Sequence, residues 1–342
     1  MKTDRILVTG GAGFIGSNLA HHLLNFGHEL TIFDNLSRSG CNANLTWLQE
    51  THGSDSFRLI KADLAEFDAL KKATEGVDRV YHLAGQVAVT TSVSNPRRDF
   101  LDNALGTFNA LEAARLVGNN PIFIYTSTNK VYGGLDDVDT YEDETSYKFK
   151  QLPFGIDELH PIDFHSPYGC SKGAGDQYVR DYARIYGLRT VVARQSCIYG
   201  YRQFGVEDQG WVAWFIIAAL KGSPITIYGN GKQVRDVLFI NDLINFYEAA
   251  VTNISTAAGK IYNVGGGPNN TISVWSEFSL LLQELLGHKI HVEFADWRPG
   301  DQPIYISDIR KAERELGWQP QVSVKEGITH LYEWIRENRG LF

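Results

Sequence analysis

Tyr168 and Lys172 stand four residues apart in Ser166-Pro167-Tyr168-Gly169-Cys170-Ser171-Lys172, a spacing that places both on one face of a helix beginning near Pro167. An ammonium beside a phenol lowers the phenol's pKa from about 10, so that a tyrosine can act as a base near neutral pH. Thr126-Ser127-Thr128, at the end of a strand-like run, offers hydroxyls near the same cleft.

A second constellation opens the chain. Gly10-Gly11-Ala12-Gly13-Phe14-Ile15-Gly16 follows the first apolar run and starts a helical one, and it satisfies both G-x-G-x-x-G and G-x-x-G-x-x-G. Glycines there let a tight turn press backbone N–H groups against a pyrophosphate at the positive end of a helix, where a Cβ would obstruct it. The next strand-like run ends in Asp34, 18 residues after Gly16, where a carboxylate can accept hydrogen bonds from adenosine ribose hydroxyls. These features predict a dinucleotide site built on Gly10, Gly13, Phe14, Ile15, Gly16, Asp34, Asn35, Ser37 and Arg38. The charge of Asp34 opposes the extra phosphate of NADP, so NAD is the expected cofactor, although Arg38 argues the other way. Asp63-Leu64 ends a third run within reach of the adenine edge, and His82-Leu83-Ala84-Gly85 brings Leu83 and Ala84 beside the cofactor.

The elements that must position these groups alternate. Strand-like segments at 6–9, 29–33, 57–61, 79–83, 122–126 and 190–194 read as near-continuous apolar runs, as strands covered on both faces do. Between them Ile15, Leu19, Leu23 and Phe26, then Leu105, Phe108, Leu111 and Ala114, recur at helical spacing. The predicted fold class is α/β: a Rossmann-type doubly wound parallel sheet over residues 1–200, to which segments around 235–265 return. Residues 201–342 predict a smaller, mixed α/β C-terminal lobe for the substrate, its elements separated by glycine-rich turns. Residues 134–166 read as a long, acidic, irregular insertion, either a lid or subunit contact or a solvated loop.

Composition narrows the function. The 342 residues carry 32 Lys plus Arg against 40 Asp plus Glu, a net charge of −8, which leaves no basic excess for nucleic acid. Cys41, Cys170 and Cys197 are too few and too scattered for a disulfide framework or a zinc site, and His288 and His291 lack companion ligands, so no metal is expected. The longest apolar run is too short to span a bilayer and the N-terminus enters a strand directly, so a cytoplasmic protein without membrane partners is expected.

With these motifs in hand, the chain resembles the extended short-chain dehydrogenase/reductase family, in particular its nucleotide-sugar epimerases and dehydratases. The likeness rests on GGAGFIG, DNLSR, HLAG, Val131-Tyr132-Gly133, SPYGCSK, the segment from Arg194 to Gly200, and GNGKQVRDVLFINDL, and it covers nearly the whole chain. The resemblance implies that Tyr168 is the base, that Lys172 orients it and the nicotinamide ribose, and that Thr128 hydrogen-bonds the reacting hydroxyl. Dehydratases of the family carry an Asp-Glu pair after that threonine, whereas this chain has Asn129-Lys130, which disfavours elimination of water.

The resemblance is tightest to members that invert C2 of a nucleotide sugar, a CDP-linked one favoured, through transient oxidation to a 2-keto sugar with tightly held NAD regenerated in each turnover. The alternatives are another nucleotide-sugar epimerase, acting at C2 of a GDP- or CDP-hexose or at C4 of a UDP-sugar, and a silent dinucleotide-binding scaffold. Substrate contacts are expected from Gln86, Asn129, Lys130, Gln209, Arg235 and Arg298, the two arginines at positions where the family meets the diphosphate. Each arginine could instead form a surface salt bridge, Trp211 is a core residue as readily as a pocket wall, and Arg194 ends a buried strand. His82 and His165 read as hydrogen-bonded structural residues. The helices after Pro96 and Pro167 resemble those that pair across family dimers, implying a homodimer or homotetramer.

Overall fold

β-Branched and apolar runs that can be covered on both faces become the central sheet of the first unit. In the computed structural model, which describes residues 3–298 and 301–342, the chain divides into two units. The first comprises Met1–Thr128, Ser166–Arg194 and Ile244–Tyr262. Its strands are β1 (Arg5–Thr9), β2 (Glu29–Asp34), β3 (Phe57–Lys61), β4 (Arg79–His82) and β5 (Ile122–Thr128), joined by strands Arg189–Gln195 and Lys260–Val264. The seven-stranded order places Lys260–Val264 at one edge, then Arg189–Gln195, β5, β4, β1, β2 and β3. β1 pairs in parallel with both β2 and β4, Thr9 lying opposite Phe33 on one side and His82 on the other. The strand order therefore reverses at β1, and the carboxyl ends of β1 and β4 flank the crevice where doubly wound sheets bind ligands.

Two expectations change in detail. β3 is not covered on both faces: it is the edge strand, paired only with β2, with Phe57 buried, Ile60 half-buried against the core and Leu59 exposed. β5 runs two residues beyond 126, so Ser127 and Thr128 are buried in the strand itself. The helix Ser166–Tyr186 begins at Ser166, whose φ of 64° turns the chain sharply into the first turn while its Oγ accepts from Gly169 N–H. That helix packs on β5 through Gly175, where a Cβ would stand 2.4 Å from Tyr125 Oη.

The second unit comprises Asn129–His165, Gln195–Leu243 and Asn263–Phe342. Its fully buried strand Val234–Phe239 pairs antiparallel with Thr271–Ser273 and parallel with Ile304–Tyr305 and Cys197–Tyr199, a mixed sheet. The 134–166 segment is less irregular than its composition suggests. Strands Thr140–Glu142 and Tyr147–Phe149 form a hairpin, and Val131, Tyr132, Leu135, Ile156 and Tyr305 make a small core beneath it. Among the described residues no helix is long and apolar enough to cross a membrane.

Because Tyr125 is fully buried and cannot retreat, Gly175→Ala is expected to cost about 1–3 kcal/mol, read as a lower urea midpoint for the loss of helical signal. An unchanged midpoint would show that the helix is not pinned at this contact.

Candidate active site

The glycine turn has the geometry its spacing demands. Gly10 has a φ of 70°, and a Cβ there would sit 2.7 Å from Ala84 N; a Cβ on Gly16 would sit 2.1 Å from Gly10 O. The first helix, α1 (Phe14–Asn25), starts at Gly13 with no side-chain cap, so its leading N–H groups remain available to an anion at the positive end of the helix dipole. Phe14 and Ile15 are half-buried on this first turn.

At the end of β2, Asp34 is buried and accepts from Ala12 N–H at 3.0 Å and Leu36 N–H at 2.8 Å. Burial raises its pKa, while those two amides and the charge of Arg38 favour the carboxylate. Asn35 donates to Asp63 at 3.0 Å and accepts from Ser37 N–H, so the predicted Asp34-to-Arg38 loop and Asp63 form one hydrogen-bonded rim. Burial works against the Asp63 carboxylate, but Ala65 N–H, Arg98 and Asn35 outweigh it and hold its pKa below the usual value. Leu64 is buried, and Leu83 and Ala84 hang on Thr9, whose carbonyl accepts from Leu83 N–H and whose Oγ1 accepts from Ala84 N–H. Gln86 is turned back on its own loop, both ends of its amide engaged by Ala88.

Tyr168 and Lys172 are both buried, and the Tyr168 phenol shares a hydrogen bond with Thr128. Lys172 differs from the expectation that it pulls the phenol down. Its Nζ donates to the Thr126 carbonyl and sits 4.4 Å from the Tyr125 ring centroid. Burial instead pushes Tyr168 up to about 12, opposed by the Thr128 hydrogen bond and the Arg38 charge. Burial pulls Lys172 down to about 7, opposed by Asp176 and Asp99. Arg194 is structural in the sense its strand position suggested: it forms a buried two-pronged pair with Asp176 at 2.9 Å, and Ser127 donates to the same carboxylate at 2.7 Å. The charge of Arg38 acts on both Tyr168 and Asp34, linking the phenol electrostatically to the rim at the end of β2.

Two residues escaped sequence reasoning. Asp99 and Asn103 lie one turn apart where helix Pro96–Phe100 passes into a π-helical turn, Leu101–Leu105. Both are buried against Ser171, and Asn103 Oδ1, without a hydrogen-bond partner among the described residues, faces Gly85, where a Cβ would stand 2.5 Å from it. The available signal was a polar pair at i and i+4 just ahead of an apolar helical stripe.

In the second unit Asn129 is buried and Lys130 is drawn down to about 8 by burial and by Arg235, with Asp301 opposing. Arg235 pairs with Asp301 at 2.6 Å, and Lys130 Nζ approaches Gln302 Oε1 at 3.5 Å. Arg298 pairs with Asp208 at 2.9 Å and stacks on Tyr228, with its guanidinium carbon 3.9 Å from the ring centroid. Gln209 closes a tight turn through its backbone to Val206, while Trp211, half-buried, packs edge-on against Phe215 and Phe278. His165 Nε2 shares a hydrogen bond with Asp163 Oδ2 at 2.8 Å. No cluster among the described residues could hold a metal ion.

The family model described as GDP-mannose 4,6 dehydratase matches residues 7–331. The chain belongs to that family, the nucleotide-sugar epimerases and dehydratases of extended short-chain dehydrogenase/reductase type. It is 45% identical over 337 residues to CDP-paratose 2-epimerase of Salmonella typhi, covering 96% of this chain and 98% of that one. It is also 34% identical to UDP-glucose 4-epimerase of Mycolicibacterium smegmatis over 97% of this chain and 98% of that one. Among solved structures, a dTDP-glucose 4,6-dehydratase from Streptomyces venezuelae with NAD bound superimposes with a TM-score of 0.85 at 30% identity, covering 99% of this chain and 98% of that one.

His82 supplies a test of the buried site. Its ring is held between Thr9 Oγ1 at 2.8 Å and Thr107 Oγ1 at 3.1 Å, and burial, then the charge of Lys172, push its pKa from 6.5 down to about 3. Between those values the unfolded chain binds a proton that the folded one does not, so stability is complete above 6.5 and falls as pH drops toward 3. The urea midpoint of the wild type is expected to fall on acidification from about pH 7 to about pH 5, and that of His82→Asn to fall less. Parallel declines would place the acid sensitivity elsewhere.

Proposed function

We propose that the protein inverts C2 of a nucleotide sugar, interconverting CDP-paratose and CDP-tyvelose. The observation that carries this reading is the 45% identity to CDP-paratose 2-epimerase along nearly the full length of both chains. Thr128, Tyr168 and Lys172, buried in one unit, supply the groups the reaction needs.

The glycine turn fits a dinucleotide. Side chains at Gly10 and Gly16 would fill the space against Ala84 and Gly10, and the uncapped start of α1 leaves its N–H groups for the pyrophosphate. Gly10, Gly13, Phe14, Ile15 and Gly16 would hold the phosphates, Asp34 the adenosine ribose, and Asp63 and Leu64 the adenine side, with Asn35, Ser37 and Arg38 completing the rim and Leu83 and Ala84 the floor. The Asp34 carboxylate favours NAD over its phosphorylated form. When bound, NAD supplies a reversible hydride acceptor and a positive charge.

Tyr168 Oη takes the proton of the 2-hydroxyl as the carbonyl forms, and gives it back after the 2-keto sugar has presented its other face. Thr128 donates to the same oxygen and orients it. Lys172, its ammonium turned to the Thr126 carbonyl, would orient the nicotinamide ribose, while the Thr128 hydrogen bond and the charge of Arg38 favour the phenolate. Each residue ends a turnover in the state in which it began, so no cofactor exchange is needed and NAD is expected to remain with the purified protein. Arg235 and Arg298 are the cations for the diphosphate, exchanging their carboxylate partners Asp301 and Asp208 for phosphate oxygens, with Asn129, Lys130, Gln209 and Gln86 as further substrate contacts. Asn129-Lys130 offers no carboxylate pair for elimination of water.

Exposed apolar side chains on three helices of the first unit, Phe100, Phe108, Leu116, Tyr178, Ile185 and Tyr186, support assembly into a homodimer or homotetramer. The reading places the enzyme in the cytoplasm.

Two outcomes are expected. Protein incubated with CDP-tyvelose and no added NAD should generate the proton NMR signals of CDP-paratose until an equilibrium mixture is reached. A silent spectrum from protein shown to carry NAD would instead move the search to GDP- or CDP-hexoses inverted at C2 and UDP-sugars inverted at C4. Tyr168→Phe should lower kcat by about 10²–10⁴-fold with the fold intact; activity near the wild type would remove the phenol as the base.

A further inference from the structure

Asp99 is a buried carboxylate that the reaction as described does not use. Its Oδ2 accepts from Ser171 Oγ at 2.5 Å and its Oδ1 from Asn103 Nδ2 at 3.1 Å, while Asn103 Nδ2 also lies 3.1 Å from Ser171 Oγ, closing a three-membered ring of contacts. Ser171 immediately precedes Lys172, so the ring clamps the catalytic turn of helix Ser166–Tyr186 to helix Pro96–Phe100. Both hydrogen-bond partners are neutral, and a buried carboxylate with neutral partners keeps its charge only when a cation faces it.

The surrounding charges identify that cation. On the helix that carries Lys172, Asp176 is already matched by Arg194 and Ser127. Beyond Asp99, Asp102 is matched by Arg98, which also holds Asp63. On β4, His82 is neutral between its two threonines; β5 contributes the neutral Tyr125 and Thr128, and Arg38 faces Tyr168 from the loop after β2. Lys172 is the cation whose charge acts on Asp99; Asp99 joins Asp176 in favouring the charged Lys172, and it also acts on Tyr168.

We propose that Asp99 is a positioning residue of the Tyr168–Lys172 pair, its carboxylate serving beside that of Asp176 as a counter-charge that keeps Lys172 an ammonium. This rests on Tyr168 and Lys172 having the roles given above. An anion facing both groups holds protons on both, so removing its charge makes the phenol and the ammonium each more acidic. The active form needs the first proton lost and the second kept, and its pH window therefore moves as a whole to lower pH.

The experiment is the pH dependence of kcat/KM for the purified holoenzyme and for Asp99→Asn, with Ser171→Ala and Tyr168→Phe alongside. Both limbs of the Asp99→Asn profile are expected to lie at least about 0.5 pH unit below those of the wild type, equivalent to roughly 0.7 kcal/mol. Ser171→Ala, which loosens the clamp but keeps the charge, should lower the amplitude with the limbs in place. An Asp99→Asn profile that is merely scaled down, its limbs unmoved, would overturn the proposal and leave Asp99 a structural clamp. If the asparagine variant does not fold, Asp99→Ser removes the same charge with less bulk and is read in the same way. Tyr168→Phe separates the two levels: its retention of activity would defeat the underlying mechanism, whereas its inactivity beside unmoved Asp99→Asn limbs would defeat only the role of Asp99.

Discussion

A primary amine enclosed by Tyr125, Thr126 and the body of its own helix stays charged only where carbonyls and carboxylates face it, and the elements around Lys172 are arranged to that end. β5 presents the Thr126 carbonyl to the ammonium, and Gly175 lets the helix approach β5 closely enough for that contact. The same helix carries Tyr168 one turn earlier, so fixing the amine also fixes the phenol against Thr128 at the end of the strand. Burial that brings these groups together also works against ionising either of them, since it raises the phenol and lowers the amine. The cluster of Asp176, Arg194 and Ser127 and the ring of Asp99, Ser171 and Asn103 are responses to that conflict.

The dinucleotide turn obeys a different constraint, one of close approach. Gly10 and Gly16 are glycines because backbone atoms of Ala84 and Gly10 occupy the space a side chain would need. Strand order reverses at β1, so the turn opens between the carboxyl ends of β1 and β4, beside the strand that ends in Asp34. Reversible oxidation of a bound sugar needs both arrangements in one unit, a cofactor cradle and a protonatable phenol, and Arg38 links them electrostatically by facing Asp34 and Tyr168 together.

What could be read from sequence followed from the range of each interaction. The glycine turn, Asp34 and the Tyr168-Lys172 spacing are local patterns, and they fold as the patterns imply. The apolar run at β3 does not reveal that its strand is an edge, where Leu59 is exposed. The 134–166 segment looked irregular because its two strands are three residues each, shorter than any periodicity can register. Asp99 was hidden for the opposite reason: its partner Ser171 is 72 residues away, and helix packing alone brings them into contact. The protonation of Tyr168 was misjudged by the same limit, since spacing places Lys172 on the right face but does not show that its ammonium turns to the Thr126 carbonyl.

The central claim is that the hydrogen removed from C2 is the one returned to it. Turnover of CDP-tyvelose in deuterium oxide, with the C2 position of the product followed by proton NMR, tests this most directly. The account predicts that CDP-paratose forms with protium retained at C2 through many turnovers, because that hydrogen travels as hydride and never meets solvent. Deuterium entering C2 at the rate of epimerisation would contradict it, and would show that the centre inverts by loss and return of a proton.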